Sequence, residues 1–347
     1  MAITLGAPVS GNFLTAQIRI FRFDFTRHFT ILNMPDSSGT GILAPRILEC
    51  IIALQAAYIA VHIKNIGLFG KFNDSSVADA VNQVRKFLED NGLAVYLGHT
   101  TSSQIKGMRL EDENVSPDKL LDLAIVVGGD GTMLSVAREL SGYGVPAVGI
   151  NLGRLGFLTD IPISGFETAL GPILQGAYHI EQRTLLKCRV MRAGKEILSS
   201  TALNDIVLSK GNMGRLIEFR IHVNDHYVAK PRGDGLILST PTGSTAYALS
   251  AGGPIIYPDL PVICLSPICP HTLSNRPILL SETDKIRISE IEPNEFPPNL
   301  AVDGVMLLQL TGSEIIDISM AKRKLKLVKS TGFNYFETLY NKLGWHG

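Results

Sequence analysis

Residues 121–140 read LDLAIVVGGDGTMLSVAREL, and no other stretch constrains the fold as tightly. Leu123 to Val127 is apolar without alternation, the pattern of a strand covered on both faces, as in a parallel sheet. Gly128 and Gly129 then turn the chain, and TMLSVARELSGYG follows as a helix. Similar segments flank it. NIGLFG reads as a strand, SSVADAVNQVRKFLEDNG as a helix with Ser75 or Ser76 as N-cap and Gly92 as terminator, and LAVYLG and VPAVGIN as two more strands. Strands separated by helices pair in parallel, so an N-terminal α/β domain is expected over 63–170.

Beyond about Leu170 the texture changes to alternating apolar and polar residues broken at Gly, Asn-Asp and Pro, as in KCRVMRAGKEILSSTALNDIVLSKG. That is antiparallel patterning, and it predicts a β-rich, sandwich-like domain over 171–325, with FRIHVNDHYVA as a hairpin tipped by Asn224-Asp225. A tail, 326–347, is expected to pack back. Residues 1–62 carry no readable motif and are taken as a leader of unknown role, an over-long gene start or a disordered leader in preference to a functional extension. Within it, NMPDSSGTG is turn chemistry, and the apolar stretch Ile42–Ile63 is interrupted by Pro45, Arg46, Glu49 and His62. Its clean positions fall short of the ~20 a spanning helix needs, so a packed or amphipathic helix or an unstructured leader is expected instead of a membrane span.

At 347 residues the chain has room for two cores, and 32 Lys plus Arg balance 32 Asp plus Glu. The even charge gives no general attraction to nucleic acid or anionic membrane, and a small-molecule partner fits better. Cys50, Cys188, Cys264 and Cys269 form no C-x-x-C pair, which with no signal pattern at the start points to the reducing cytoplasm.

In VVGGDGTML the glycines permit positive φ and close backbone approach, and the helix N-terminus offers free N–H groups to phosphate. Asp130 is the odd element, because it would repel phosphate. It makes sense as a ligand of phosphate-bound Mg²⁺, as a base for a hydroxyl, or as a turn residue bonding backbone N–H groups. A second triplet, Gly233-Asp234-Gly235, opens PRGDGLILSTPTGSTAYALSAGGPI, where Thr240, Thr242, Ser244, Thr245, Tyr247 and Ser250 crowd hydroxyls among glycines. That density suits a nucleotide pocket, and Ala246, Ala248, Leu249 and Ala251 make it too apolar for a solvated loop. ALNDIVLS adds Asn204 and Asp205 ahead of an apolar strand.

GGDGT, the Asn-Asp pair, and GDG followed by TPTGSTAY, in that order, resemble the NAD kinase family, which phosphorylates the adenosine-ribose 2′-hydroxyl of NAD with ATP or polyphosphate. The resemblance runs from about Ile66 to His346 and includes GINLGRLGFLTD, CPHTLSNRPILL and FNYFETLYNKLGW. It implies that Asp130 accepts the 2′-hydroxyl proton beside Gly131, that Asn204 and Asp205 bind the NAD nucleoside, and that Arg232 and Asp234 contact the dinucleotide. It implies that Thr245, Ala246, Tyr247, Ala248, Leu249 and Ser250 line the adenine and ribose pocket, with Arg215 at a further substrate position that is often histidine in relatives. It also implies a homo-oligomer whose second copy partly closes the site.

No Walker-type G-x-x-x-x-G-K-[ST] occurs, so glycine-turn amides and a Mg²⁺ held mainly through nucleotide phosphates are the expected means of gripping the donor. One departure from the family concerns LAVDGVMLL, where many relatives place a glutamine and this chain has Val305. Two alternatives stand beside the kinase reading. A diacylglycerol or sphingoid kinase shares GGDGT, and a nucleotide sensor without turnover would keep the pocket. His271, between two prolines' reach in CPHTLSNRP, and Trp345 read as structural side chains.

Overall fold

The apolar run at Leu123–Val127 is buried along its whole length. The computed structural model describes residues 18–23, 29–34, 63–70, 75–101, 105–153, 155–211, 215–272, 274–292 and 296–344. The chain divides into two units, Met1–Ala60 and Val61–Gly347. In the first, Ile18–Phe23 and Phe29–Met34 pair antiparallel, with Ile18 opposite Met34. The leader carries no readable motif, yet IRIFRF and FTILNM are rich in the β-branched and aromatic residues that favour strands. Residues 35–62, which hold most of the turn stretch and of the apolar segment, lie outside the described residues, as does Trp345. Among the described residues no helix is long and apolar enough to cross a membrane.

The second unit begins with β1 (Asn65–Gly70), α1 (Ser75–Asp90), β2 (Ala94–Leu97), β3 (Leu123–Val127), α2 (Asp130–Leu140), β4 (Ala147–Asn151), α3 (Phe166–Leu174) and β5 (Tyr178–Arg183). Strands β2, β1, β3 and β4 lie side by side in parallel. Alternate residues of β3 go to opposite faces, as a two-residue period requires. Leu123, Ile125 and Val127 meet Val81, Val84 and Leu88 of α1 and Leu170 of α3, while Ala124 and Val126 meet Met133, Val136 and Leu140 of α2. The expected α/β layers are therefore present, with helices on both faces.

The β-rich part is built around β6 (Asp205–Ser209), β7 (Gly235–Ser239), β8 (Val262–Ile268) and β9 (Asn299–Val302), the middle of a six-stranded sheet edged by Ile278–Ser281 and Val305–Gln309. A seven-stranded antiparallel sheet contains Leu186–Arg192, Ile217–Val223 and Ile286–Glu292. Its Cys188, Phe219 and Ile288 share one core with Ile206, Leu236 and Ile263 of the first sheet, which makes a sandwich. The hairpin forms as expected: Ile217–Val223 pairs with His226–Ala229, and Asn224 and Asp225 take φ of 51° and 65° at its tip.

Two more elements follow, β10 (Leu325–Ser330) and α4 (Tyr335–Leu343). Strand β10 returns to the first sheet, parallel to β4 and antiparallel to β5, with Leu325 opposite Arg183 and Ser330 opposite Tyr178. The pairing thus places β5 and β10 in the α/β sheet, whereas the change of texture at 170 had assigned β5 to the β-rich part. Strand β5 is the edge strand of that sheet, and its burial, with Ile180 43% exposed and Arg183 buried, follows no strict alternation, so sequence texture does not name the sheet a strand joins. Helix α4 is capped by the Asn334 side chain, which accepts from Phe336 N at 3.0 Å. It docks through Tyr335, whose ring lies 6.3 Å from Phe157 and 5.5 Å from Tyr257.

Candidate active site

The first triplet sits where β3 ends and α2 begins. Gly128 has φ 155°, and a Cβ there would meet Thr132 Oγ1 at 2.4 Å, so this position requires glycine. Gly129 and Gly131 are exposed and a Cβ on either would meet nothing within 4 Å, leaving the backbone open to a ligand.

Asp130, in the first turn of α2, is held by the loop that follows β4. Its Oδ2 accepts from Phe157 N at 3.0 Å, and its Oδ1 accepts from Leu158 N at 3.1 Å, Thr159 N at 3.2 Å and Thr159 Oγ1 at 3.1 Å. Thr159 Oγ1 in turn accepts from the Nδ2 of Asn151, buried at the end of β4, at 2.9 Å. A Cβ on Gly156 would lie 2.0 Å from Asp130 Oδ1, so the approach of loop to carboxylate depends on that glycine. The turn reading of Asp130 therefore describes part of what it does, and Oδ2, with one donor, keeps the larger capacity to accept another. Asn151, Gly156 and Thr159 were missed as site residues, although GINLGRLGFLTD carried them in plain view.

Asn204 and Asp205 sit at the start of β6, and Leu203 packs in one cluster with Met133 of α2 and Leu158. Their three amides are claimed by Asp303: Leu203 N donates to Oδ2 at 3.0 Å, Asn204 N to Oδ1 at 2.8 Å and Asp205 N to Oδ1 at 3.2 Å. Asp205 is 5% exposed, and among the described residues no donor reaches its carboxylate. Burial, with the nearby Asp303 charge adding to it, pushes its pKa up to about 7. Asp303 is likewise raised above the usual carboxylate range by burial, against the pull of its three amide bonds and of Arg138.

TPTGSTAY wraps the same point. Thr240 N donates to Asn204 O at 2.9 Å, Thr240 Oγ1 donates to Leu203 O at 2.5 Å, and a Cβ on Gly243 would lie 2.1 Å from Asn204 O. Ser244 Oγ donates to Pro241 O at 2.6 Å and Thr245 Oγ1 to Thr242 O at 3.3 Å. Much of the hydroxyl density thus shapes the segment itself. Tyr247 and Ser250 are exposed and Thr245, Ala246 and Leu249 half-buried. Ala248 is the exception: it is wholly buried against Val207, Ile237 and Ile268, so its expected ligand contact gives way to packing.

The second triplet lies elsewhere on the strand pair. Asp205 is opposite Ser239, and Ser209 is opposite Gly235, which puts Asp234, one residue beyond Gly235, about 16 Å along the strands from Asp205 at ~3.3 Å per residue. A Cβ on Gly235 (φ 158°) would lie 2.0 Å from Leu208 O, and one on Gly233 2.9 Å from Ile268 O. These glycines let strands close on each other, unlike the open Gly129 and Gly131. Asp234 pairs with Lys210 at 2.8 Å, a partner not anticipated. Arg232 is exposed and its carbonyl accepts from His271 N at 2.8 Å. Arg215 is exposed just before Ile217–Val223. Within one chain, Arg232 and Asp234 do not converge with Asp205. Val305, 44% exposed on an edge strand, presents an apolar side chain there. A groove of about 670 Å³ lined by Arg192, Pro297, Met306 and Thr311 lies along that edge and contains none of the motif residues.

Two family models match the chain: the ATP-NAD kinase N-terminal domain over residues 66–178 and the ATP-NAD kinase C-terminal domain over 203–330. The NAD kinase of Marinobacter nauticus is 42% identical over 286 residues, 81% of this chain and 96% of that protein. That of Azotobacter vinelandii is 41% identical over 288 residues, 82% and 97%. The fold resembles that of yeast NADH kinase complexed with NADH, at a TM-score of 0.74, 26% identity and coverage of 83% of this chain and 89% of that one. It also resembles an NAD kinase from Archaeoglobus fulgidus in complex with ATP, at a TM-score of 0.63, 26% identity and coverage of 82% and 100%. The matches span both motif-bearing parts, which carries the identification past the lipid-kinase alternative, grounded as that was in GGDGT alone. With the two halves of the motif set, the α/β-plus-sandwich fold and the relatives in agreement, the chain belongs to the NAD kinase family of phosphotransferases.

Proposed function

We propose that the protein transfers the terminal phosphoryl group of ATP, or of polyphosphate, to the adenosine-ribose 2′-hydroxyl of NAD, with Asp130 accepting the hydroxyl proton. The bond between the 2′-oxygen and phosphorus forms, the bond to the leaving phosphate breaks, and the proton passes to Oδ2. The observation that carries this assignment is the hold on Asp130, four donors from one loop with a single one on Oδ2. A carboxylate so fixed meets a hydroxyl without reorganising, and general-base help of this kind contributes about 10²–10⁴ in rate.

In this reading, Asn204 and Asp205 hold the nucleoside, Thr245, Ala246, Tyr247, Leu249 and Ser250 border the adenine and ribose, and Gly129 and Gly131 admit donor phosphates to the amides of α2. A Mg²⁺ would be held mainly through the nucleotide phosphates, as the resemblance to the family implies. Bound there, it supplies charge neutralisation to the transferring group. Arg232, Asp234 and Arg215 would act on the dinucleotide from a second copy of the chain, because Asp234 lies far along the strands from Asp205. The same reading takes the protein to be a cytoplasmic homo-oligomer.

Purified protein given NAD, Mg²⁺ and ATP should form NADP. Asp130→Asn should remove most of that activity with folding and NAD affinity intact. Undiminished turnover in the variant refutes the role of Asp130, and NAD binding without any NADP would favour a sensor.

A further inference from the structure

The turn that joins β9 to Val305–Gln309 carries a carboxylate that the family motifs leave unassigned. Asp303 is 8% exposed. Asp303 and Gly304 take φ of 48° and 75°, the left-handed pair of a tight hairpin turn. Aspartate tolerates that backbone better than most residues, but not freely. Its three amide bonds to Leu203, Asn204 and Asp205 span about a hundred residues of sequence, and its own N donates back to Asp205 O at 2.9 Å. The clasp therefore works in both directions.

The other side of the turn is tied to the helix that begins with Asp130. Arg138, two turns further along α2, donates Nη1 to Val302 O at 3.1 Å. Hydrogen bonds thus run from α2 through Arg138 to the Val302–Asp303 turn, and from Asp303 to the backbone under Asn204 and Asp205. With those amides occupied, the Asn204 and Asp205 side chains are the groups left to meet a ligand.

We infer that Asp303, anchored by Arg138, is a positioning residue that sets the Asn204-Asp205 pair in register with Asp130, so that the dinucleotide is bound where its hydroxyl meets the base. This rests on the functional reading above. A clasp that served stability alone would affect both substrates alike when loosened. A positioning clasp acts on the dinucleotide.

Asp303→Asn keeps the shape and lacks the charge, and its side-chain NH₂ would face at least one of the three amides. It is expected to raise KM for NAD about 10- to 100-fold while KM for ATP moves less than about threefold. It should also shift the inflection that Asp205 contributes to the pH profile of kcat/KM for NAD to lower pH, because Asp303 is one cause of the raised Asp205 value. Equal changes in both KM values, or an unmoved profile, would overturn the inference. If Asp303→Asn does not fold, Arg138→Gln decides: it leaves the carboxylate in place and cuts only the tie to α2. It should raise KM for NAD several-fold with KM for ATP unchanged, and wild-type constants would overturn the inference. Wild-type protein assayed in parallel separates the two failures. No NADP from the wild type sinks the functional reading and this inference with it, whereas an active wild type with unaffected variants sinks the inference alone.

Discussion

Replacing Asp205 by asparagine should make the protein more stable at pH 8 and poorer at holding its substrate. Asp205 is 5% exposed with no donor on its carboxylate among the described residues, and burial together with the Asp303 charge raises its pKa from 3.8 to about 7. The folded state therefore keeps a proton that the unfolded chain gives up, and stability falls as pH rises from about 4 through 7, then levels. At about 1.4 kcal/mol per unit, the loss is on the order of 4 kcal/mol by pH 8. Asparagine has no proton to lose, so its stability relative to wild type should climb by about 2.6 kcal/mol between pH 5 and pH 8, the rest of the loss having occurred below pH 5. Any cost of burying the new amide shifts all pH values alike and leaves the slope untouched. Urea denaturation of both proteins at closely spaced pH, with m-values compared to verify that the same transition is followed, reads the difference directly. A wild-type-minus-variant difference that is flat from pH 5 to 8 would show that Asp205 is not a strained buried acid. The same variant should bind NAD more weakly, the usual trade between stability and function at a binding site.

Gly156→Ala should leave the protein folded and reduce kcat about 100-fold, since the new Cβ lies 2.0 Å from Asp130 Oδ1 and must displace it; unchanged steady-state kcat would refute the importance of that contact. Lys329→Met leaves Asp160, 3.1 Å from Lys329 Nζ and 9% exposed, without its partner, and should cost about 3–5 kcal/mol in denaturant melts, most of it recovered on adding Asp160→Asn. Tyr335→Ala should destabilise by about 3 kcal/mol through the cavity left beside Phe157 and Tyr257. Because Phe157 N holds Asp130, the same change should lower kcat more than it alters KM for NAD.

Local features of the sequence revealed the elements and the motifs. LAIVV reads as a doubly covered strand and Asn224-Asp225 as a tight turn between alternating segments, and the structure has both. What stayed hidden depends on partners far apart in the chain. Asp303 looks like any Asp-Gly turn until the amides it binds, about a hundred residues earlier, are seen. YHIEQR and LKLVKS do not say which sheet they join. Nor do two identical GDG triplets announce that one opens its glycines to a ligand while the other uses them to bring strands together. Lys210 was overlooked for the same reason, since its ion pair with Asp234 spans two strands.

The return of β10 to a place between β4 and β5 has a consequence for how the protein is made. As the chain leaves the ribosome, β1 to β5 emerge first, but the strand that fills the space between β4 and β5 arrives only after the whole sandwich has been synthesised. The early strands must wait with an open slot at the edge of their sheet, a surface prone to wrong pairing. The two layers should therefore mature together in a late step, and nascent chains stalled before residue 325 should remain protease-sensitive in both.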